Sequence, residues 1–219
     1  MSVEIKQHQP GRDLKDFIQV AFDVYADDPA WVPPLNMEIT DRLTPKKNPF
    51  FEHAEVALFT AWKDGKAVGR ISAQIDHEHL RIHRDNAGFF GFFDTINDQE
   101  VASALVSAAE GWLASRGMTV MRGPFSLSIN EETGMLVEGF DSPPTIMSPH
   151  HRAYQGALAE GAGLRKAKDC YGWMHEVGAA PPRAQRAWDA MNSLPEVRFR
   201  SVSPRKLKHE VHEILDVFN

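Results

Sequence analysis

AEVALFTAWKDGKAVGRISAQID, residues 54 to 76, decides the fold. Apolar residues alternate with polar ones on both sides of Lys63-Asp64-Gly65-Lys66, and Asp-Gly between two alternating runs is a strong hairpin signal. Two antiparallel strands are therefore expected here. Downstream, a run from Ala87 to Asp94, dense in Phe and Gly, reads as a third strand. Asp98 then precedes Val101, Leu105, Ala108, Ala109, Trp112 and Leu113, spaced for one helical face, with Gly117 as the stop signal. MTVMRGPF, from Met118 to Phe125, reads as the next strand. Arg152 to Gly163 reads as a last helix and Leu164 to Val177 as a closing strand. Upstream, Val3 to Tyr25 reads as a strand and helix, and a short helix is expected around Leu35 to Leu43. The order predicts a mixed α/β domain whose sheet begins antiparallel and ends with crossovers through helices.

The first strand-helix unit has an echo. Leu14, Ile18, Ala21, Phe22 and Tyr25 recur as Leu207, Val211, Ile214, Leu215 and Phe218, each stripe following an alternating segment closed by a proline. The expected organisation is a complete domain over 1–178, a linker with a short helix over 179–195, and the first strand and helix of a second, incomplete copy over 196–219. That tail presents an apolar helix face, which predicts a homodimer through it.

Composition narrows the function classes. The 24.6 kDa chain carries a formal charge of -6 and is 42% hydrophobic, which argues against a broad nucleic-acid surface and suits a soluble, packed domain. Cys170 is the sole cysteine, so a disulfide within the chain is excluded, which fits a reducing cytoplasm; the reading for this thiol is a buried structural one. No apolar run reaches the roughly 20 residues that span a bilayer, and the polar, acidic start MSVEIKQHQPGRD lacks the apolar core of a signal peptide.

Several residues carry candidate chemistry. The long polar segment after Phe125 is a candidate functional loop, and in it Asn130, Glu131 and Glu132 sit beyond the end of a strand, the two carboxylates serving as bases or as a solvated face. Trp31, Phe50 and Phe51 in a Pro-rich stretch either line a groove or cap the core. Asp76, His77, Glu78 and His79 would share faces in pairs if extended, yet pairs alone are weak metal signals and no metal is expected. His77 or Glu78 could orient an amine. His150-His151 reads as a surface pair.

The strand-helix order together with NPFFEHAEVALFTAWKDGKAVGRISAQID, FGFFD, GPFSLSINEE and GFDSPP resembles the GCN5-related N-acetyltransferase (GNAT)-like superfamily over residues 1 to about 178. The wording is similar to an uncharacterised subfamily with tandem GNAT-like halves. The resemblance implies an acyl-CoA N-acyltransferase fold with splayed C-terminal strands, acetyl-CoA or another acyl-CoA as cosubstrate, and transfer to a small-molecule or lipid amine. It places the donor near Phe93 and at Asn97, Val101 and Ala102, where the helix N-terminus would hold the diphosphate. The family's Gln/Arg-x-x-Gly-x-Gly/Ala loop is met only at Ala102; Glu100 stands at the first glycine. The acid that protonates the leaving thiolate is a tyrosine in that family; Ala159 stands at its place here, leaving Tyr154 or Tyr171 to serve. Three readings follow: an acyl-CoA-dependent N-acyltransferase, a non-catalytic binding half of a tandem protein, or, because some bacterial sphingolipid N-acyltransferases are GNAT-like, an enzyme that acylates a sphingoid base.

Overall fold

The computed structural model describes residues 2–173 and 176–218, in two compact units, residues 1–170 and 171–219. In the first, β1 (Glu4–His8), β2 (Ala54–Lys63), β3 (Lys66–Asp76), β4 (Ala87–Thr95) and β5 (Val120–Arg122) form one sheet in the order β1-β2-β3-β4-β5. The first three pairings are antiparallel and the last is parallel. The hairpin is the one expected: Asp64 and Gly65 both take positive φ, 53° and 76°, the geometry that matches the twist of the flanking strands.

Helices α1 (Lys15–Val24) and α2 (Asn36–Arg42) precede β2, and α3 (His77–His83) follows β3. Helix α4 (Gln99–Ala114) carries the chain from β4 to β5, and α5 (Gln155–Gly161) ends the unit. Asp98 caps α4 as its position before the apolar stripe suggested, its side chain accepting from the amides of Glu100 and Val101. The stripe Val101, Leu105, Ala109 and Leu113 is at most 2% exposed and packs with Ile71, Ile75, Phe90 and Phe93. Each buried Val, Leu, Ile or Phe side chain among them contributes about 1.5–3 kcal/mol. Phe17, Ile18, Leu43, Phe50, Leu58 and Phe92 make a second cluster.

One irregularity positions the site. Arg70 of β3 pairs with Asp94 of β4 and Ser72 with Gly91, so two residues of β4, Phe92 and Phe93, lie opposite Ile71 alone. This is a β-bulge, with Phe92 at φ 47°, and it breaks the alternation of faces. Phe92 joins the cluster containing Phe17, while Phe93 joins the one under α4.

Several expectations need correction. Asp76 to His83 is not extended: Asp76 accepts from the amides of Glu78 and His79 at 2.9 and 3.2 Å and starts α3, so alternate residues do not share a face there. The last helix begins at Gln155 rather than Arg152. No strand forms among the described residues of 164–177; Met174 and His175 in that span lie outside them. Cys170 is exposed, not buried.

The second unit contains α6 (Pro182–Asn192) and α7 (Leu207–Phe218). The segment read as a second first strand, 197–203, pairs with no strand among the described residues. An isolated strand has its backbone hydrogen bonds unmet, and alternation alone does not supply a neighbour.

Candidate active site

Only three residues of β5 pair with β4, Ala87–Phe89 facing Val120–Arg122. Beyond them the chain stays close for a moment: Phe125 N donates to Phe90 O at 2.7 Å, and a Cβ at Gly91 would lie 1.8 Å from Phe125 O. Gln74, fully buried, donates to Phe125 O at 2.7 Å. The rest of β4 takes other partners. Tyr154 Oη donates to Thr95 O at 2.9 Å and Gln155 Nε2 to Phe93 O at 3.5 Å. The two strands thus part, and α5 covers the far half of β4.

A cavity of about 100 Å³ opens beside this place, and its lining includes Trp31, Val32, Ile39 and Phe92 together with Arg70, Asp94, Glu132, His150 and His151. The bulge sets Asp94 across from Arg70, whose Nε and Nη2 both stand 2.7 Å from Asp94 Oδ2. Tyr25, at the end of α1, donates its hydroxyl to Asp94 Oδ1 at 2.6 Å. Burial alone would raise the Asp94 carboxyl, but Arg70 and the Tyr25 hydroxyl hold it below the usual range. Burial, then the Asp94 charge, pushes the Tyr25 phenol upward. Tyr25 is therefore a donor here and stays protonated.

The two histidines are not a surface pair. His151 is 7% exposed and its pKa is depressed to about 4 by burial, against the pull of Asp94. Its Nδ1 accepts from Leu136 N at 3.1 Å, so the proton of the neutral ring is on Nε2. His150 Nε2 lies 3.0 Å from Asp28 Oδ2, the two side chains 3% and 10% exposed. Burial would raise Asp28, while His150, the Ala30 amide and Arg152 bring it below its ordinary value. His150 Nδ1 is buried with no hydrogen-bond partner among the described residues. Leaving a buried acceptor unpaired costs about 1–3 kcal/mol, so such an atom needs an explanation.

The candidates named from sequence divide. Trp31, Phe93 and Glu132 line the cavity. Glu131 and Glu132 are both held by Arg42, Glu131 Oε2 at 3.6 Å from Nε and Glu132 Oε1 at 3.3 Å from Nη1; burial raises the Glu131 carboxyl. Asn130 is exposed. Phe50 is buried in the second core cluster and Phe51 packs against it, so these two cap the core. His77 meets Glu55 at 3.1 Å and Glu78 pairs with Arg81 at 2.7 Å on α3, among exposed groups. Tyr171 is 76% exposed.

At the start of α4, Asn97 is exposed, while Val101 and Ala102 have no exposure. Asp98 Oδ1 accepts from Glu100 N and Val101 N at 2.9 and 3.4 Å, and Ala102 N donates to Asp98 O at 3.1 Å. Lys63 Nζ sits 2.6 Å from Asp98 Oδ2 and 3.8 Å from Glu100. The protein's own carboxylate takes the amides that a diphosphate would use, so the residues at this helix end do not fit that group. Tyr25, Asp28, Arg70, Asp94 and the buried state of His150 were missed by sequence reasoning. The available signal was a charge inside each of two neighbouring strands, Arg70 within β3 and Asp94 near the end of the mostly apolar β4.

An antiparallel sheet that turns parallel at β4, crosses through α4 and parts beyond β5 is the arrangement of the GNAT-like fold. No family model matches it. It is 43% identical over 210 residues, 94% of its length, to a protein of Caulobacter vibrioides named bacterial ceramide synthase. It is 38% identical over 209 residues, again 94% of its length, to protein YghO of Escherichia coli. The chain spans about half the length of these relatives, 54% and 53%. Among solved structures, the aminoglycoside acetyltransferase AAC(6')-Iy, in complex with a CoA bisubstrate analogue, is similar at 14% identity and TM-score 0.47, covering 81% of this chain and 100% of that one. A tandem GNAT protein from the clavulanic acid biosynthesis pathway is similar at 12% identity and TM-score 0.47, covering 74% of this chain and 43% of that one.

Proposed function

We propose that this chain is the amine-acylating part of a GNAT-like N-acyltransferase whose acceptor is a long-chain amino alcohol of the sphingoid-base type. The observation that carries this reading is the 43% identity over 94% of the chain to a protein named bacterial ceramide synthase. A ceramide is the amide of such a base, so its synthesis joins an amine nitrogen to an acyl carbon. The cavity supports the reading, its lining combining apolar Trp31, Val32 and Ile39 with polar Asp94 and His150, the mix an amphipathic amine calls for.

An acyl thioester such as acyl-CoA is the donor on this reading, which rests on the fold and on no phosphate loop. On this reading the chain holds a GNAT-like domain over 1–178, a linker over 179–195 and the opening of a second copy over 196–219. A cytoplasmic protein that pairs as a homodimer through α7 completes it; Leu207, Val211 and Ile214 there are 54%, 43% and 46% exposed.

Incubating the chain with acyl-CoA of several lengths and sphinganine, and reading amide by mass spectrometry, tests the proposal. Amide on sphinganine, with little on neamine or a lysine peptide, is expected; no turnover with any amine overturns it for this chain. A second reading, a binding half that does no chemistry, is favoured by Asp98 filling the α4 terminus. It predicts sphinganine binding without acylation.

A further inference from the structure

We infer that His150, oriented by Asp28, takes the proton that the acceptor amine must lose before it can attack an acyl carbon. This rests on the acyl-transfer reading above and names its base. A primary amine is mostly ammonium near neutral pH, and its nitrogen is then without a lone pair, so the reaction needs a proton acceptor at the site.

The groups at the cavity leave one such acceptor. Asp94 is bound by Arg70 at 2.7 Å and by the Tyr25 hydroxyl at 2.6 Å. Glu132 is paired with Arg42 at 3.3 Å, and Glu131, whose Oε2 stands 3.6 Å from Arg42 Nε with no hydrogen-bond partner among the described residues, is not among the residues that line the cavity. The His151 Nδ1 lone pair is used by the Leu136 amide, which leaves that ring a donor. His150 differs. Asp28 is further paired with Arg152 Nη1 at 3.5 Å and accepts from Ala30 N at 3.0 Å, so it is an ionised acceptor and draws the His150 proton to Nε2, 3.0 Å away. The lone pair is then on Nδ1, which has no partner among the described residues although His150 lines the cavity. A carboxylate on one ring nitrogen and a reactive lone pair on the other is the arrangement that makes imidazole a general base.

The step balances. The ammonium proton moves to His150 Nδ1, and the resulting imidazolium is neutralised by Asp28. The amine nitrogen bonds the acyl carbon with its freed pair as the bond from that carbon to the donor sulfur breaks, and the thiolate leaves with that pair. The nitrogen then loses its second proton to the thiolate, which leaves a neutral amide and a free thiol, and the imidazolium releases the first proton to solvent. The charged and titratable groups facing His150 are Asp28, the Tyr25 ring at 5.7 Å, Arg152 and His151. His150 is the catalytic residue in this scheme, and Asp28 a positioning one.

Two measurements on the full chain test it. In the first, ¹⁵N-histidine NMR assigns His150 by the signal lost in His150→Gln; a protonated Nε2 and bare Nδ1 are expected, with Nδ1 moving when sphinganine is added. In the second, His150→Gln is expected to slow amide formation about 100-fold or more at pH 7 with KM changed less than about threefold. The deficit should shrink about tenfold per pH unit as the free amine grows towards its own pKa. Asp28→Asn, which can donate to Nε2 and move the proton to Nδ1, should give the same pH signature, and Asp28→Glu should recover part of the rate. A deficit equal at all pH values, a fully active His150→Gln, or a His150 signal indifferent to bound sphinganine overturns the inference while leaving acyl transfer standing. No amide from the unmutated chain, with Nδ1 still moving on addition of sphinganine, removes the acyl-transfer reading and leaves His150 as the acceptor of the bound ammonium.

Discussion

Arg70 reaches from β3 to Asp94 on β4, holding one carboxylate oxygen through Nε and Nη2 at 2.7 Å. Both side chains are about nine-tenths buried, and Arg70 Nη1 also donates to Phe17 O at 3.2 Å, tying the pair to α1. The pair joins the floor of the cavity to the helix beside it.

Arg70→Met leaves Asp94 buried with its charge uncompensated, and the expected loss is about 3–5 kcal/mol. Urea unfolding measures it. The double variant Arg70→Met/Asp94→Leu, which removes both charges, should recover most of that loss; a double variant as unstable as the single one would contradict the account.

Stability should fall with acidification between pH 6.5 and 4 because of His151. Its pKa is about 4 in the fold and 6.5 as a free side chain, so the unfolded chain binds the proton first. The contribution is complete above pH 6.5 and is lost as pH falls towards 4, about 3 kcal/mol for a shift of this size. Urea midpoints at several pH values should show this slope, and His151→Asn should flatten it.

At the start of α4 the cap and the charge can be separated. Asp98→Asn keeps an acceptor for the Glu100 and Val101 amides and should change stability by less than about 0.5 kcal/mol, whereas Asp98→Ala should cost about 1 kcal/mol. If the terminus is closed to diphosphate by this carboxylate, calorimetry should find CoA binding tightened several-fold in Asp98→Asn. Weaker binding in that variant would show that Asp98 favours the ligand.

Gly91→Ala should be among the most costly small substitutions in the chain. The added Cβ would meet Phe125 O at 1.8 Å, and since that oxygen also accepts from Gln74, the segment after β5 must move. A loss of about 3 kcal/mol is expected, read by thermal unfolding. A neutral outcome would mean that this segment does not lie against β4.

Tyr154→Phe distinguishes a structural hydroxyl from an acid. The proton of Tyr154 is committed to Thr95 O at 2.9 Å, and burial raises the phenol, so a loss of about 1 kcal/mol in stability is expected with activity lowered less than about threefold. A loss of 100-fold would return this residue to the role of acid.

Much of the frame was legible because its signals are local. Asp64-Gly65 sets its turn through its own backbone preferences, and Asp98 caps α4 from two residues away. The site was not legible in this way. Tyr25 and Asp94 are separated by 69 positions and Tyr25 and His150 by 125, and no periodicity couples such distances. The bulge at Phe92–Phe93 added a second obstacle, since it shifts the alternation that assigns each β4 residue to a face.

The two similar helical stripes separate what sequence and tertiary structure each decide. Sequence alone determined that both would be amphipathic helices, because a spacing near 3.6 puts the apolar residues on one side whatever surrounds them. Burial was decided by the fold. Leu14 and Ile18 are 8% and 9% exposed within the core of the first unit, while Leu207 and Val211 are 54% and 43% exposed. The same holds for the polar groups: Asp28, Arg70, Asp94 and His150 acquire their partners only when the sheet and its loops bring them together, since electrostatics and desolvation depend on distance through space and not along the chain.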